Sequence, residues 1–348
     1  MPFYTGTVFC KRNPVSLVFS IIFPVFGLIF AGYACRRIGL LGPAAAAELN
    51  RFVVWLALPA MLFQIMVKAQ WSALYQPAFT AAFACAGLGL FALVACVQCW
   101  RGKPLTDASV DALSAAYPNT GYMGFPLTLM LFGADSMVPT TIATMLVVCV
   151  MFGLAIALME SAQAAQHPGT KLHLRLLHIL WSLLKNPLIA SPLLGIAVGT
   201  LDGPLPASID TFLSMLAAAA SPCALVSLGL FLASYHVKHT AQAPSHAPPP
   251  EATQETSTAW MLTALKLLAL PAITWAVSTW VFQLSATQVH IAVLLSALPT
   301  GTGPYMLADM YQRAGAITAR TVLYSTLLSI ATLSALIQWI LQAPTAAA

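Results

Sequence analysis

YPNTGYMGFP, residues 117–126, lies inside a stretch that otherwise has the composition of a membrane-crossing helix. Its ten residues include two prolines, two glycines and an asparagine. In a helix interior each proline costs about 3 kcal/mol and each glycine about 1 kcal/mol relative to alanine. Pro118, Gly121, Gly124 and Pro126 together therefore cost roughly 8 kcal/mol as an upper bound. In hydrocarbon the freed backbone groups would add several kcal/mol each. Such a break persists only where protein covers it or where it lines a wet cavity.

The rest of the chain identifies the solvent as a bilayer. Of 348 residues, 59% are hydrophobic and 7% are charged, against about 25% charged in a soluble domain. A helix needs roughly 20 apolar residues to cross, and the alternation of a membrane barrel is absent, so the spans are helices. Ten apolar segments can be read, at 15–35, 48–67, 77–99, 110–132, 138–159, 186–202, 208–233, 261–282, 288–309 and 319–341. Lys11 and Arg12 precede the first run, as in a leader, but the run from Val15 to Ala34 is longer than a leader's apolar core, so a retained first span is expected. Residues 171–185 carry Lys171, Arg175, His178, Ser182 and Lys185 on one stripe of a leucine-rich helix, the pattern of a helix lying in the membrane interface. The proline-rich stretch 235–258 reads as a flexible loop.

Charge sets orientation and excludes other classes. With both termini outside, the cytoplasmic loops hold eleven of the basic residues and the outer loops hold only Lys11, Arg12 and Lys68. Lys266 is read as lying near the inner end of its span and snorkelling inward. The net charge of +5 is scattered in loops and gives no nucleic-acid signal. Cys96 and Cys99 form a CxxC, yet no second pair or histidine completes a metal site. No nucleophile, base and orienting group share a polar cluster, so neither an enzyme nor a cofactor is expected.

The break has a counterpart. LPTGTGP, residues 298–304, interrupts span nine with Pro299, Gly301, Gly303 and Pro304. Spans one and six share PVFG (24–27) and PLLG (192–195), and spans two and seven carry LPA (58–60) and SPC (221–223). Five spans per half force the second half to enter with opposite orientation, an inverted repeat. Its halves are residues 1–160 and 186–348, joined by the linker 161–185 with its interfacial helix. Two broken helices at matched positions place a site at their crossing, near the midplane. New half-helices begin there with free N–H groups and a positive dipole end. Asn119, Thr120, Thr300 and Thr302 are good capping residues, and Pro304 suits a first turn. No acidic residue sits at a midplane position, so the pattern suits an anion held by neutral donors without a buried lysine or arginine.

At these residues the chain resembles the auxin efflux carrier family, which includes plant PIN-type carriers and bacterial malate and malonate permeases. The resemblance rests on LNRFVVWLALPAMLF (49–63), YPNTGYMGFPL (117–127), KNPLIASPLLG (185–195), SPCALVSLG (221–229) and LPTGTGPYMLA (298–308). It implies an all-α membrane protein of ten helices in two inverted five-helix repeats, with helices 4 and 9 crossing at Pro118 and Pro299. It implies a scaffold of helices 1, 2, 6 and 7, a transport domain of helices 3, 4, 5, 8, 9 and 10, and elevator-like movement of an organic anion. Asn119 matches the asparagine that contacts the substrate carboxylate in plant members. The chain lacks their long hydrophilic loop and has Thr300 after the second proline, which favours a small carboxylate over auxin. The expected substrate-binding set is Asn119, Thr120, Gly121, Thr300, Gly301 and Thr302, with Pro118, Pro299 and Pro304 as crossover residues. The expected partners are a small carboxylate and the lipid of a plasma membrane, with a homodimer left open. Two other readings stay open: a sodium-coupled organic-anion symporter of the bile-acid type, and a ligand-binding sensor that does not transport.

Overall fold

The computed structural model describes residues 14–68, 74–165, 187–200, 205–241, 250–311 and 315–342, with Trp181, Leu184, Lys185 and Arg313. Its helices are α1 (Pro14–Arg37), α2 (Ala45–Phe52), α3 (Leu58–Val67), α4 (Pro77–Trp100), α5 (Leu105–Ala116), α6 (Phe125–Phe132), α7 (Met137–Met145) and α8 (Phe152–Ala165). They continue as α9 (Pro187–Gly199), α10 (Ala207–Ala241), α11 (Pro250–Ala264), α12 (Leu270–Ala276), α13 (Ala286–Ala297), α14 (Gly303–Met310) and α15 (Ala316–Gln342). Among the described residues, six helical runs are long and apolar enough to cross a membrane, and α9 and α13 are shorter apolar helices. Large side chains face outward: Trp100 is 88% exposed, and Phe212 and Met215 of α10 are 61% and 72% exposed. Water would penalise that surface and lipid would not. The chain is an all-helical, multi-pass membrane protein.

Wide π turns join several helices into longer runs. Val53–Ala57 precedes Leu58–Pro59, Thr120–Gly124 precedes Phe125–Pro126, and Leu265–Ala269 precedes Leu270–Pro271. Each proline lacks an N–H, and its ring crowds the carbonyl four residues back. The preceding turn relieves that crowding by widening to i→i+5 bonding without ending the helix.

The helices pack in two groups. In the first, α1 lies on α10, while α3 lies on both α9 and α10. Glycine sets these distances: a Cβ on Gly229 would stand 1.9 Å from the Ile29 carbonyl oxygen, and one on Gly32 would stand 2.1 Å from that of Val226. Backbone meets backbone there, as small residues allow between membrane helices. In the second group, α4 packs on α5, α5 on α8, α12 on α13, and α11 on α15. The groups meet where α10 touches the turn 120–124 and where α1 touches α6 and α15.

Two expectations change. Residues 235–258 are helical on both sides of 242–249, because α10 runs to Ala241 and α11 begins at Pro250. Proline at the first helical position has no N–H to waste and a preset φ, so it starts α11 earlier than hydrophobicity suggests. Lys266 consequently lies 16 residues into a continuous helical run, about 24 Å along its axis at 1.5 Å per residue, so it is mid-span and not near an end. It is fully buried and does not snorkel. The interfacial helix of 171–185 falls mostly outside the described residues; within it, the Lys185 ammonium lies 5.2 Å from the centre of the Trp181 ring. Cys96 and Cys99 are free thiols on an exposed face of α4.

Candidate functional site

The two breaks meet. Pro118 and Thr300 form an isolated antiparallel bridge. The Asn119 amide donates to the Pro299 carbonyl at 3.0 Å, and the Gly301 amide donates to the Tyr117 carbonyl at 3.1 Å. Each break thus supplies a partner for backbone that the other leaves unpaired, which removes most of the cost of irregular backbone in lipid. Asn119 has φ −77° and ψ 56°, an inverse γ-turn closed by the Thr120 amide donating to the Pro118 carbonyl at 2.8 Å. The turn reverses the chain into the next half-helix, whose first bond is Met123 N–H to the Asn119 carbonyl at 3.1 Å. The amides of Gly121 and Tyr122 have no acceptor among the described residues. They are the free donors of a helix N-terminus.

The expected site residues divide by orientation. Asn119, Thr120, Gly121 and Thr302 line a small cavity at the crossing, about 20 Å³, together with Gly303 and Met306. The Asn119 side chain is 4% exposed and makes no hydrogen bond among the described residues. The Thr120 hydroxyl is fully buried and also lacks a partner. An unpaired hydroxyl in an apolar setting costs about 1–3 kcal/mol, so this pair is a reservoir of unmet donors facing one point.

Thr300 and Gly301 face elsewhere. The Thr300 hydroxyl donates to the Ser114 carbonyl at the end of α5 (2.9 Å), and its amide donates to the Ser325 hydroxyl of α15 (3.1 Å). Gly301 and Gly303 make room for the Tyr117 ring: an added Cβ would stand 2.9 Å from Tyr117 Cε1 at Gly301 and 2.7 Å from Cζ at Gly303. Neither glycine is replaceable without moving that ring. Ser221 of α10 donates to the Tyr122 carbonyl at 2.8 Å, tying the first helix group to the break.

Sequence reasoning missed one group at the crossing. Lys266 donates to the carbonyls of Ser296 and Leu298, both at 2.6 Å, at the end of α13 where span nine breaks. The expectation of no buried basic residue is therefore corrected. A lone lysine in an apolar span was the available signal.

A second cavity of about 500 Å³ adjoins the first through Thr302. Arg51, Asn50 and Ser227 line one wall and Tyr305, Arg313 and Ala319 the other. Its lining includes two guanidinium groups and no carboxylate; Arg51 pairs with Glu48 at 3.1 Å. Arg313 is held bidentate by Asp107, Nε to Oδ1 at 2.8 Å and Nη2 to Oδ2 at 2.7 Å. Those bonds raise the guanidinium pKa above its ordinary value and keep the group charged. Nearby, the Tyr311 hydroxyl donates to Glu160 at 2.6 Å.

A family model described as membrane transport protein matches residues 17–337. The chain belongs to this family, which includes the auxin efflux carriers. It is similar to a protein of Rhizobium meliloti (strain 1021) named "Putative malonate transporter", with 28% identity over 91% of this chain and 94% of that one. It is also similar to auxin efflux carrier component 8 of Arabidopsis thaliana, 24% identical over 90% of this chain and 95% of the relative. Auxin efflux carrier component 3a of Oryza sativa subsp. japonica is 30% identical over 47% of this chain and 25% of the relative. A member of the membrane transport family is a transporter and not an enzyme.

Proposed function

We propose that this membrane transporter moves a small dicarboxylate of the malonate type across the plasma membrane by an elevator-like cycle. The observation that carries the reading is the unpartnered, fully buried Thr120 hydroxyl with the Asn119 carboxamide, which makes no hydrogen bond among the described residues, beside the free amides of Gly121 and Tyr122 at one half-helix start. Four neutral donors and a positive dipole end suit one carboxylate. Thr302, on the second half-helix, stands between the small cavity and the basic vestibule and suits contact with the distal carboxylate. The name of the Rhizobium relative supports malonate among the small carboxylates.

In this reading the helices make ten passes in two inverted sets of five. The group α1, α2–α3, α9 and α10 would be the scaffold, its glycine contacts too close to slide. The remaining helices would carry the crossing past it. A cavity of about 20 Å³ holds about one water, so substrate requires the two groups to part. The vestibule lined by Arg51 and Arg313 opens between them and would collect anions at the cytoplasmic side, with both termini outside. Thr300 and Gly301 serve this mechanism by holding the crossing rigid and are not assigned substrate contacts.

The test is a thermal-shift screen of purified protein against mono- and dicarboxylates, followed by uptake into proteoliposomes. Malonate or a close dicarboxylate should raise the melting temperature by mass action and show saturable counterflow. Stabilisation without counterflow would favour a sensor. Stabilisation by none of the carboxylates would overturn the anion assignment.

A further inference from the structure

Lys266 is buried to 0% exposure in the middle of a hydrophobic helix. A charge at that depth costs about 2.5–3.5 kcal/mol even on insertion scales. Among the described residues no carboxylate lies within ion-pair distance of it. Its compensation is the helix end. The last carbonyls of α13 have no intrahelical partner and gather about half a negative charge. The ammonium sits on one of them, that of Ser296, and on the Leu298 carbonyl just beyond the helix, at 2.6 Å each. The next carbonyl, that of Pro299, accepts from the Asn119 amide. Lys266 therefore lies one peptide unit from the backbone bond that orients the substrate-facing residue.

The other helix end is treated differently. The α5 carbonyl of Ser114 receives the neutral Thr300 hydroxyl. One of the two crossing ends thus holds a cation covalently attached to the protein. In carriers built from broken helices, unwound carbonyls and half-helix C-terminal ends are where coupling sodium ions bind. Here those acceptors are already taken by an amine that cannot dissociate.

We infer that Lys266 is a tethered cation that fills the coupling-ion position of span nine, so that the carrier moves its anion without sodium. This rests on the transport reading for its uptake measurement only. Lys266 touches no substrate in this arrangement; it is a positioning residue for Asn119.

The experiment compares wild type and Lys266→Met in sodium, potassium and choline chloride at equal ionic strength. Both melting temperature and malonate counterflow are read. Wild-type values should agree within twofold for counterflow and within error for melting in all three salts. Lys266→Met should lose at least 10-fold in counterflow and be stabilised by sodium or ethylammonium but not choline, with part of the counterflow returning. Sodium-dependent wild-type behaviour would overturn the inference, and so would a Lys266→Met protein as active as wild type in choline. An inactive variant whose melting ignores sodium and ethylammonium would also overturn it and leave the lysine a neutral packing donor. Should Lys266→Met not fold, Lys266→Gln retains a donor without the charge, and the wild-type arm needs no variant. The melting arm needs no substrate, so failure of malonate to move in any salt counts against the transport reading alone.

Discussion

Replacing Gly303 by alanine puts a methyl group where the crossing has no space. The new Cβ would stand 2.7 Å from Tyr117 Cζ, 2.9 Å from Cε1 and 3.0 Å from the hydroxyl oxygen. Carbon atoms prefer about 3.5–4.0 Å, so the ring must retreat by roughly 1 Å. It has little room to do so, being 7% exposed and tilted against Phe152 at 6.2 Å between ring centroids. Overpacking of this kind costs about 1–3 kcal/mol, and alanine recovers up to about 1 kcal/mol in helix propensity. The net loss should be ~1–2 kcal/mol, or about 2–8 °C in melting temperature by the scaling of large soluble domains. Tyr117→Leu removes the clash, so the double variant should lose about 1 kcal/mol less than the sum of the single losses. Scanning fluorimetry of the four proteins in one detergent measures this directly. A Gly303→Ala protein that melts with the wild type, or a double variant whose losses simply add, would refute the packing described for the crossing.

Thr300→Val and Thr302→Val should separate structure from binding. Thr300→Val leaves the Ser114 carbonyl and the end of α5 unsatisfied, costing about 1–3 kcal/mol of stability, whereas Thr302→Val should melt normally and bind dicarboxylate more weakly in a ligand-dependent thermal shift. Gly229→Ala would drive a Cβ to 1.9 Å from the Ile29 carbonyl oxygen; α1 and α10 must then separate, at a cost of about 3 kcal/mol or more, and size-exclusion chromatography should show loss of the monodisperse peak. Asp107→Asn and Arg313→Gln should each cost stability only about 0–1 kcal/mol, because both side chains are 35% exposed, but Arg313→Gln should slow malonate uptake more at low salt than at high salt as the vestibule loses its pull.

The sequence made the crossing legible because proline and glycine cluster at 117–126 and 298–304; single prolines such as Pro24 and Pro222 stay inside continuous helices. That the two breaks meet followed from matching their positions in the chain; that they pair through the Asn119 and Gly301 amides did not. Which way Thr300 points was not legible. Both threonines after the second proline can cap a helix, and only the approach of Ser114 from α5 decides that Thr300 faces inward while Thr302 reaches the cavity. Lys266 was misjudged for a related reason. Its depth depends on where its helix begins, and Pro250 starts that helix before the apolar run does. Gly301, expected beside the substrate, and Gly303, read only as a helix breaker, make room for Tyr117, a contact made across 184 and 186 residues of chain.

Asn119 offers the most direct test of the site. The fold uses its backbone N–H and carbonyl, and both survive substitution by alanine; the carboxamide is engaged by nothing among the described residues. A hydrogen bond to a charged group contributes about 1.5–3 kcal/mol, which is about 10- to 100-fold in affinity. The decisive measurement is counterflow of radiolabelled malonate in proteoliposomes holding equal amounts of wild-type or Asn119→Ala protein. Saturable wild-type counterflow, with the variant at least 10-fold weaker in apparent affinity and unchanged in melting temperature without substrate, is the predicted result. Equal malonate counterflow by the two proteins would contradict a carboxylate site at the crossing.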